Sequence, residues 1–143
     1  MQQGKNRVVL DTNIVVSAAI SIDGTPAKIF EMLLGDEIIN YATLEIIDEI
    51  KRVMDRPFFK EHLNDEYKKF ILDNFQLHSV IIQPKFSENA VVEDEADNKF
   101  INCALTANAD IISGDKHLKK LKSYKGVNIY DARTFLDKAL KIE

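Results

Sequence analysis

Short apolar runs alternate along the chain with longer segments in which apolar residues recur at helical spacing. Continuous short runs predict strands that are covered on both faces, and the recurrent spacing predicts amphipathic helices. The short runs predict strands at 7–11, 38–41, 80–82, 110–113 and 127–129. The spaced segments predict helices at 25–34, 43–55, 64–75, 96–108, 116–122 and 131–140.

Residues that favour helix starts support these boundaries. Thr25 is suited to an N-cap, with Pro26 at the first helical position, and Thr43 and Asp131 are suited to cap two later helices. Parallel neighbours in a sheet need a crossover connection, which the intervening helices supply. The pattern therefore predicts an α/β fold: one domain, 1–143, as a three-layer sandwich with a mostly parallel central sheet of four to five strands.

The composition is that of a globular protein. Of the 143 residues, 45% are hydrophobic and 29% charged, with only 5 Gly and 3 Pro, which excludes disordered and collagen-like classes. The single cysteine, Cys103, cannot form an intramolecular disulfide or a thiolate zinc site, which favours a reducing compartment. There is no secretory signal pattern and no run near the ~18 apolar residues of a membrane helix, so we expect a cytoplasmic protein without membrane contact.

The charge limits the kind of nucleic-acid contact. With 19 Lys+Arg and 23 Asp+Glu, the net charge is −4. This argues against a module held on a duplex by phosphate contacts alone. It is compatible with an enzyme that meets phosphate through bound metal ions.

Two aspartates directly follow apolar strands. Asp11 ends the first strand and Asp115 follows the strand at 110–113. The carboxyl ends of parallel strands meet at one edge of a sheet, where ligands bind in α/β folds. Each aspartate alone is also an ordinary turn or N-cap residue.

Acids on two helices add further candidates. Asp97 shares a helical face with Phe100 and Ile101; the alternative is a capping box in which Asp94 is the N-cap and Asp97 lies three residues later. In the helix at 43–55, Asp48 and Glu49 flank the apolar stripe on opposite sides, and both are also compatible with a solvated face. Helical spacing alone does not choose between these two acids.

Four short blocks resemble the motifs of the PIN-domain family, in the family's order and over nearly the whole chain. They are Val8-Val-Leu-Asp-Thr-Asn13, Asp48-Glu-Ile-Lys-Arg-Val-Met54, the segment 94–100 ending in Asp97-Asn-Lys-Phe, and Ser113-Gly-Asp115. The chain differs from relatives at three positions. His117 stands where some relatives carry a further acid, and Glu93 and Glu95 stand where a basic residue and a proline are frequent.

The resemblance implies a metal-dependent ribonuclease of the kind found as toxins in bacterial and archaeal toxin–antitoxin pairs. By this resemblance, Asp11, Glu49, Asp97 and Asp115 hold metal directly or through water, with Asn13, Ser113 and Asp94 in supporting positions. Two carboxylates about 4 Å apart repel by roughly 4 kcal/mol at an effective dielectric constant of 20, which a divalent cation relieves. Oxygen ligands favour Mg²⁺ or Mn²⁺ over zinc.

The function expected from these observations is cleavage of single-stranded RNA by water attack on the phosphodiester. The expected partner is an antitoxin protein, and the expected assembly is a homodimer or higher homo-oligomer. Basic residues near the cleft would guide the RNA: Lys51, Arg52, Lys99, Lys116 and Lys119. The alternatives are an inactive PIN-like interaction module, an RNA-processing factor without an antitoxin, and a receiver-like binding domain. An aspartyl-phosphate phosphatase needs a second aspartate two positions after Asp11, where the chain has Asn13.

Overall fold

A six-stranded sheet in the order β3-β2-β1-β4-β6-β5 forms the centre of the computed structural model, which describes residues 5–140. Five strands run parallel, and β5 pairs antiparallel with β6. The strands are β1 (Asn6–Leu10), β2 (Ile38–Ala42), β3 (Ser79–Ile81), β4 (Asp110–Ile112), β5 (Ser123–Tyr124) and β6 (Val127–Tyr130). The predicted α/β class is confirmed.

The sheet has one strand more than the four to five expected. The additional strand, β5, is only two residues long and contains no apolar run that would mark it. It pairs with β6 through a tight turn at Lys125 and Gly126, whose φ angles of 48° and 88° are typical of hairpin turns. Pairing with β6 rather than hydrophobic patterning therefore defines this strand.

Helices flank the sheet. They are α1 (Thr12–Ile20), α2 (Thr25–Leu34), α3 (Leu44–Met54), α4 (Pro57–His62), α5 (Asp65–His78), α6 (Asn98–Ala107), α7 (Lys116–Leu121) and α8 (Ala132–Leu140), with a 3₁₀ turn at Glu95–Asp97 before α6. Helix α6 packs on β1, β2 and β4, and α1 packs on α2 and α3.

Helices α1 and α4 were not predicted. Helix α1 is buried at six of its nine residues, and its narrow exposed stripe of Asn13, Ser17 and Ile20 includes an apolar residue, so the alternation of polar and apolar positions is weak. The sequence pattern predicts Pro57 only as the end of the preceding helix, but Pro57 also begins α4, because proline fits the first turn of a helix.

Several helix ends differ slightly from the predicted ones. Thr25 is the first residue of α2 and Gly24 is its N-cap, so the predicted capping role of Thr25 is wrong. Asp131 does cap the last helix, since its Oδ1 accepts a hydrogen bond of 2.7 Å from the Thr134 N–H. Helix α5 extends beyond the predicted 64–75 to His78, directly before β3.

The register of the two central strands positions the candidate site. Leu10 of β1 is paired with Ile112 of β4, and both side chains are fully buried. Asp11 and Ser113 are the next residues of these adjacent parallel strands, so they leave the sheet side by side at its carboxyl edge. The sheet therefore brings together two segments that are about a hundred residues apart in sequence.

Candidate metal centre

Asp11 is fixed by three hydrogen bonds at the carboxyl end of β1. Its Oδ1 accepts from the Ile14 N–H at 2.9 Å, which caps α1, and its Oδ2 accepts from Ser113 Oγ and from the Gly114 N–H at 3.2 Å. The residue is only 2% exposed. Burial raises its pKa to about 6, although the hydrogen bonds from Ser113, Ile14 and Gly114 oppose that rise.

The turn after β4 holds Asp115 beside Asp11. Ser113 is fully buried, and its Oγ also accepts from the Asp115 N–H at 2.8 Å. Asp115 Oδ2 caps α7 by accepting from the His117 and Leu118 N–H groups at 2.9 and 3.1 Å. Burial opposes ionisation of Asp115, but a hydrogen bond with Asp97 and the two N–H groups outweigh it and lower its pKa.

Asp97 lies at the end of the 3₁₀ turn and faces the other acids. It is 8% exposed, and its Oδ2 is a buried side-chain oxygen that has no hydrogen-bond partner within residues 5–140. Burial, a hydrogen bond that the protonated carboxyl makes with Asp115, and the charges of Asp115, Asp94 and Asp11 together raise its pKa to about 8. An unpaired buried carboxylate is costly, so this oxygen is suited to an external ligand.

Asp94 joins the acid cluster as well as capping a turn. Its Oδ1 accepts from the Ala96 N–H at 3.2 Å, as the capping alternative predicts. The side chain of Asp97 forms no cap hydrogen bond, so it does not complete the predicted capping box. Carboxylate oxygens of Asp94, Asp97 and Asp115 lie within 4.8 Å of one another, and we call these three residues the acid triad. The family resemblance implies only a supporting position for Asp94.

Glu49 lies next to the acid triad, on α3. Its Oε2 accepts from Thr12 Oγ1, and its Oε1 lies 2.5 Å from Lys99 Nζ. Asp48, by contrast, is exposed and is not part of the cleft lining. The structure therefore brings Glu49, rather than Asp48, to the cleft, as the resemblance implies. Glu49 is not part of the acid triad.

These acids line a cleft of about 280 Å³ that also contains two arginines. The lining residues are Asp11, Thr12, Asn13, Glu49, Arg52, Val53, Arg56, Asp94, Ala96, Asp97, Phe100 and Asp115. Both arginines are exposed, and neither is within salt-bridge distance of an acid in the described part of the chain. Asn13 is exposed at the mouth of the cleft.

The expected set of substrate-guiding cations is partly wrong. Lys99 is buried and paired with Glu49, so its charge is not available at the surface. Lys51, Lys116 and Lys119 are exposed but do not line the cleft. Arg56, which was not among the expected cations, lies in the connection between α3 and α4, where the helical spacing of Glu49 and Arg52 does not extend.

The donor set fits a hard divalent cation. The acid triad supplies only carboxylate oxygens, and one of them, Asp97 Oδ2, is buried without a hydrogen-bond partner among residues 5–140; such ligands suit Mg²⁺ or Mn²⁺. A cation would also relieve the mutual repulsion that raises the pKa of Asp97.

Within residues 5–140, no helix is long and apolar enough to cross a membrane.

Two solved structures share this fold at low sequence identity. The crystal structure of PAE2754 from Pyrobaculum aerophilum superposes with a TM-score of 0.63 at 14% identity and covers 96% of this chain and 92% of that one. The structure of VapBC2 from Rickettsia felis bound to a DNA fragment from its promoter has a TM-score of 0.56 at 17% identity, over 87% of this chain and 98% of that one. These similarities concern the fold.

The sequence comparisons define the family. The uncharacterized protein MJ1680 of Methanocaldococcus jannaschii is 41% identical over 123 residues, which are 85% of this chain and 79% of that protein. The family model of the PIN domain matches residues 7–117, which include all the acids of the cleft. PIN domains are generally nucleases, and the acid triad is consistent with hydrolysis of phosphodiesters. With a family model that spans most of its length, this chain belongs to the PIN-domain family.

Proposed function

We propose that the protein is a Mg²⁺- or Mn²⁺-dependent endoribonuclease that cleaves single-stranded RNA. The observation that carries this proposal is that Asp97, whose carboxylate lies close to those of Asp94 and Asp115, has a buried Oδ2 with no hydrogen-bond partner within residues 5–140. A carboxyl group in this environment is stabilised by a metal ion that can also bind a substrate phosphate.

The acids have different roles in this proposal. Asp97 and Asp115 hold the ion together with Asp94, and Asp11 acts from the adjacent position, directly or through water. Glu49 supports the site from the cleft wall through its contacts with Thr12 and Lys99. When bound, the ion supplies Lewis-acid stabilisation of the phosphate and lowers the pKa of a water molecule that attacks phosphorus. Ser113 orients Asp11 and the backbone of Asp115, so it fixes the spacing of two of these acids.

Arg52 and Arg56 supply the complementary charge for the RNA backbone. Guanidinium groups bind phosphate oxygens in a bidentate geometry. Both lie in the cleft that contains the acid triad, so a phosphate that contacts them lies near the scissile position. The protein as a whole is acidic, and these local cations therefore matter more than overall attraction to nucleic acid.

The biological role that we propose is that of a toxin in a toxin–antitoxin pair, acting in the cytoplasm. The structure from Rickettsia felis contains a VapBC2 assembly on promoter DNA, and its likeness to this chain supports a protein antitoxin as a partner here. A homodimer or higher homo-oligomer stays a prediction. Size-exclusion chromatography with light scattering tests the oligomeric state.

The proposal is tested by incubating purified protein with end-labelled single-stranded RNA, the matched RNA duplex and the matched single-stranded DNA. We expect cleavage of single-stranded RNA with Mg²⁺ or Mn²⁺ and none after chelation by EDTA. Asp97→Asn should be inactive, and Asp137→Asn, which changes an exposed acid on α8, should cleave like the wild type. Cleavage that survives EDTA would refute the metal mechanism, and a folded wild type that binds RNA without cutting it would favour the interaction-module alternative.

A further inference from the structure

Lys99 forms a buried ion pair with Glu49 at one end of the cleft. Lys99 Nζ lies 2.5 Å from Glu49 Oε1, and the two side chains are only 5% and 18% exposed. Lys99 is the only lysine of the described residues that is buried. A buried ammonium group is costly unless it is paired and hydrogen-bonded, so both partners of this pair are needed in place.

The hydrogen bonds of this pair reach both sides of the acid cleft. Lys99 Nζ also donates to the carbonyl oxygen of Ala96, the residue before Asp97. The other oxygen of Glu49 accepts from Thr12 Oγ1, and Thr12 directly follows Asp11. Glu49 and Lys99 therefore connect the start of α1 to the 3₁₀ turn that carries Asp97.

The same contacts engage both oxygens with which Glu49 would bind a metal ion. One carboxylate oxygen accepts from an ammonium group and the other from a hydroxyl group. Glu49 is also outside the acid triad, whose oxygens lie within 4.8 Å of one another. A divalent cation placed on Glu49 would be repelled by the ammonium group at close range.

We propose that Lys99 is a built-in cation that neutralises Glu49, so that the cleft binds one divalent ion at the acid triad. Glu49 is then a positioning residue: it holds the 3₁₀ turn and the start of α1 in place through Lys99 and Thr12. The inference rests on the proposed function, because it presupposes an ion at the acid triad.

The test is a titration of the purified protein with Mn²⁺, in which the EPR signal of free Mn²⁺ gives the number of bound ions and their affinity. We expect one ion per wild-type chain. Lys99→Met should bind a second ion because it frees Glu49, and Lys99→Arg should return to one because it restores the charge. Lys119→Met, an exposed lysine outside the cleft, is the matched control and should behave like the wild type.

The double variant Lys99→Met with Glu49→Gln has the same net charge as the wild type, and neither substituted side chain is left as a buried charge without a partner. It should bind one Mn²⁺, like the wild type, because the second ion expected in Lys99→Met requires the carboxylate of Glu49. If Lys99→Met fails to fold, the stoichiometry of the wild type still decides the question, because an ion on Glu49 would raise it to two.

Three results would overturn the inference while leaving the proposed metal site intact: two ions in the wild type, one ion in folded Lys99→Met, or a second ion retained by the double variant. Absence of Mn²⁺ binding by the wild type would instead overturn the proposed function.

Discussion

Ser113 Oγ donates a hydrogen bond to Asp11 Oδ2 and accepts one from the N–H of Asp115. One buried hydroxyl thus links two acids whose strands are neighbours in the sheet but distant in sequence. The hydrogen bond to Asp11 stabilises its ionised form against the effect of burial. The position of this hydroxyl therefore affects both the stability of the sheet edge and the proton affinity of the site.

Replacement of Ser113 tests this link. Ser113→Ala leaves the Asp11 oxygen and the Asp115 N–H without a partner, so we expect a loss of about 1–3 kcal/mol in the free energy of unfolding. The pKa of Asp11 should rise further, which moves the acid limb of the pH–activity profile to higher pH. Urea denaturation and the pH dependence of RNA cleavage measure the two effects. Ser123→Ala, at an exposed position, is the control, and an acid limb unchanged by Ser113→Ala would show that the hydroxyl does not tune Asp11.

The two adjacent acids of α3 should respond differently to loss of charge. Glu49→Gln weakens the pairing with Lys99 and should lower cleavage by about 10- to 100-fold, as is typical of residues that orient metal-site groups. Asp48→Asn should retain most activity, because Asp48 is exposed and lies outside the cleft lining. Initial rates of RNA cleavage decide it. The opposite ranking would mean that Asp48 is the functional acid of α3.

Asp97 should make the metal-free protein less stable as the pH rises. Its pKa is raised from 3.8 to about 8 in the folded state, so the folded protein binds more protons than the unfolded chain between these values. The free energy of unfolding is therefore largest near pH 3.8 and decreases as the pH rises toward 8. Asp97→Asn removes this dependence, and at pH 8 without metal it should be more stable than the wild type by more than about 1 kcal/mol.

Thermal melts at pH 5 and pH 8, with and without Mg²⁺, measure this effect. Added Mg²⁺ should stabilise the wild type more than the variant and reduce the difference at pH 8, because the ion binds only the folded state. Asp137→Asn is the matched control, since its side chain is exposed. If Asp97→Asn melts below the wild type at pH 8 without metal and still cleaves RNA, Asp97 is a structural residue and not part of the site.

The two cleft arginines should contribute to RNA binding and not to metal binding. Arg52→Ala with Arg56→Ala should raise KM and reduce the salt dependence of RNA affinity, because fewer phosphate contacts release fewer counterions. The affinity for Mn²⁺ should not fall, since neither side chain can ligate a cation. Fluorescence anisotropy with labelled RNA at several salt concentrations measures the change. Lys51→Ala, on the same helix but outside the cleft, is the control, and an equal effect there would indicate nonspecific attraction.

The order of strands and helices was largely predictable because buried parallel strands are continuous apolar runs and most helices have one polar face. Where a segment lacks this contrast between apolar and polar positions, the predicted secondary structure was wrong. The start of α1 is marked only by Asp11 as N-cap, and the helix that follows has only a narrow exposed stripe, which includes the apolar Ile20. The two-residue strand β5 forms because it pairs with β6, and this pairing depends on the tertiary structure.

The candidate site was likewise predictable only in part from the sequence. The sequence by itself determined which acids follow strands or begin helices, and the motifs singled out Asp11, Glu49, Asp97 and Asp115. The tertiary structure decided that Asp94 belongs to the acid triad and that Lys99 is paired with Glu49, fifty residues earlier. Distances between segments and the burial of a charge depend on how helices pack on the sheet, and local spacing carries no information about either.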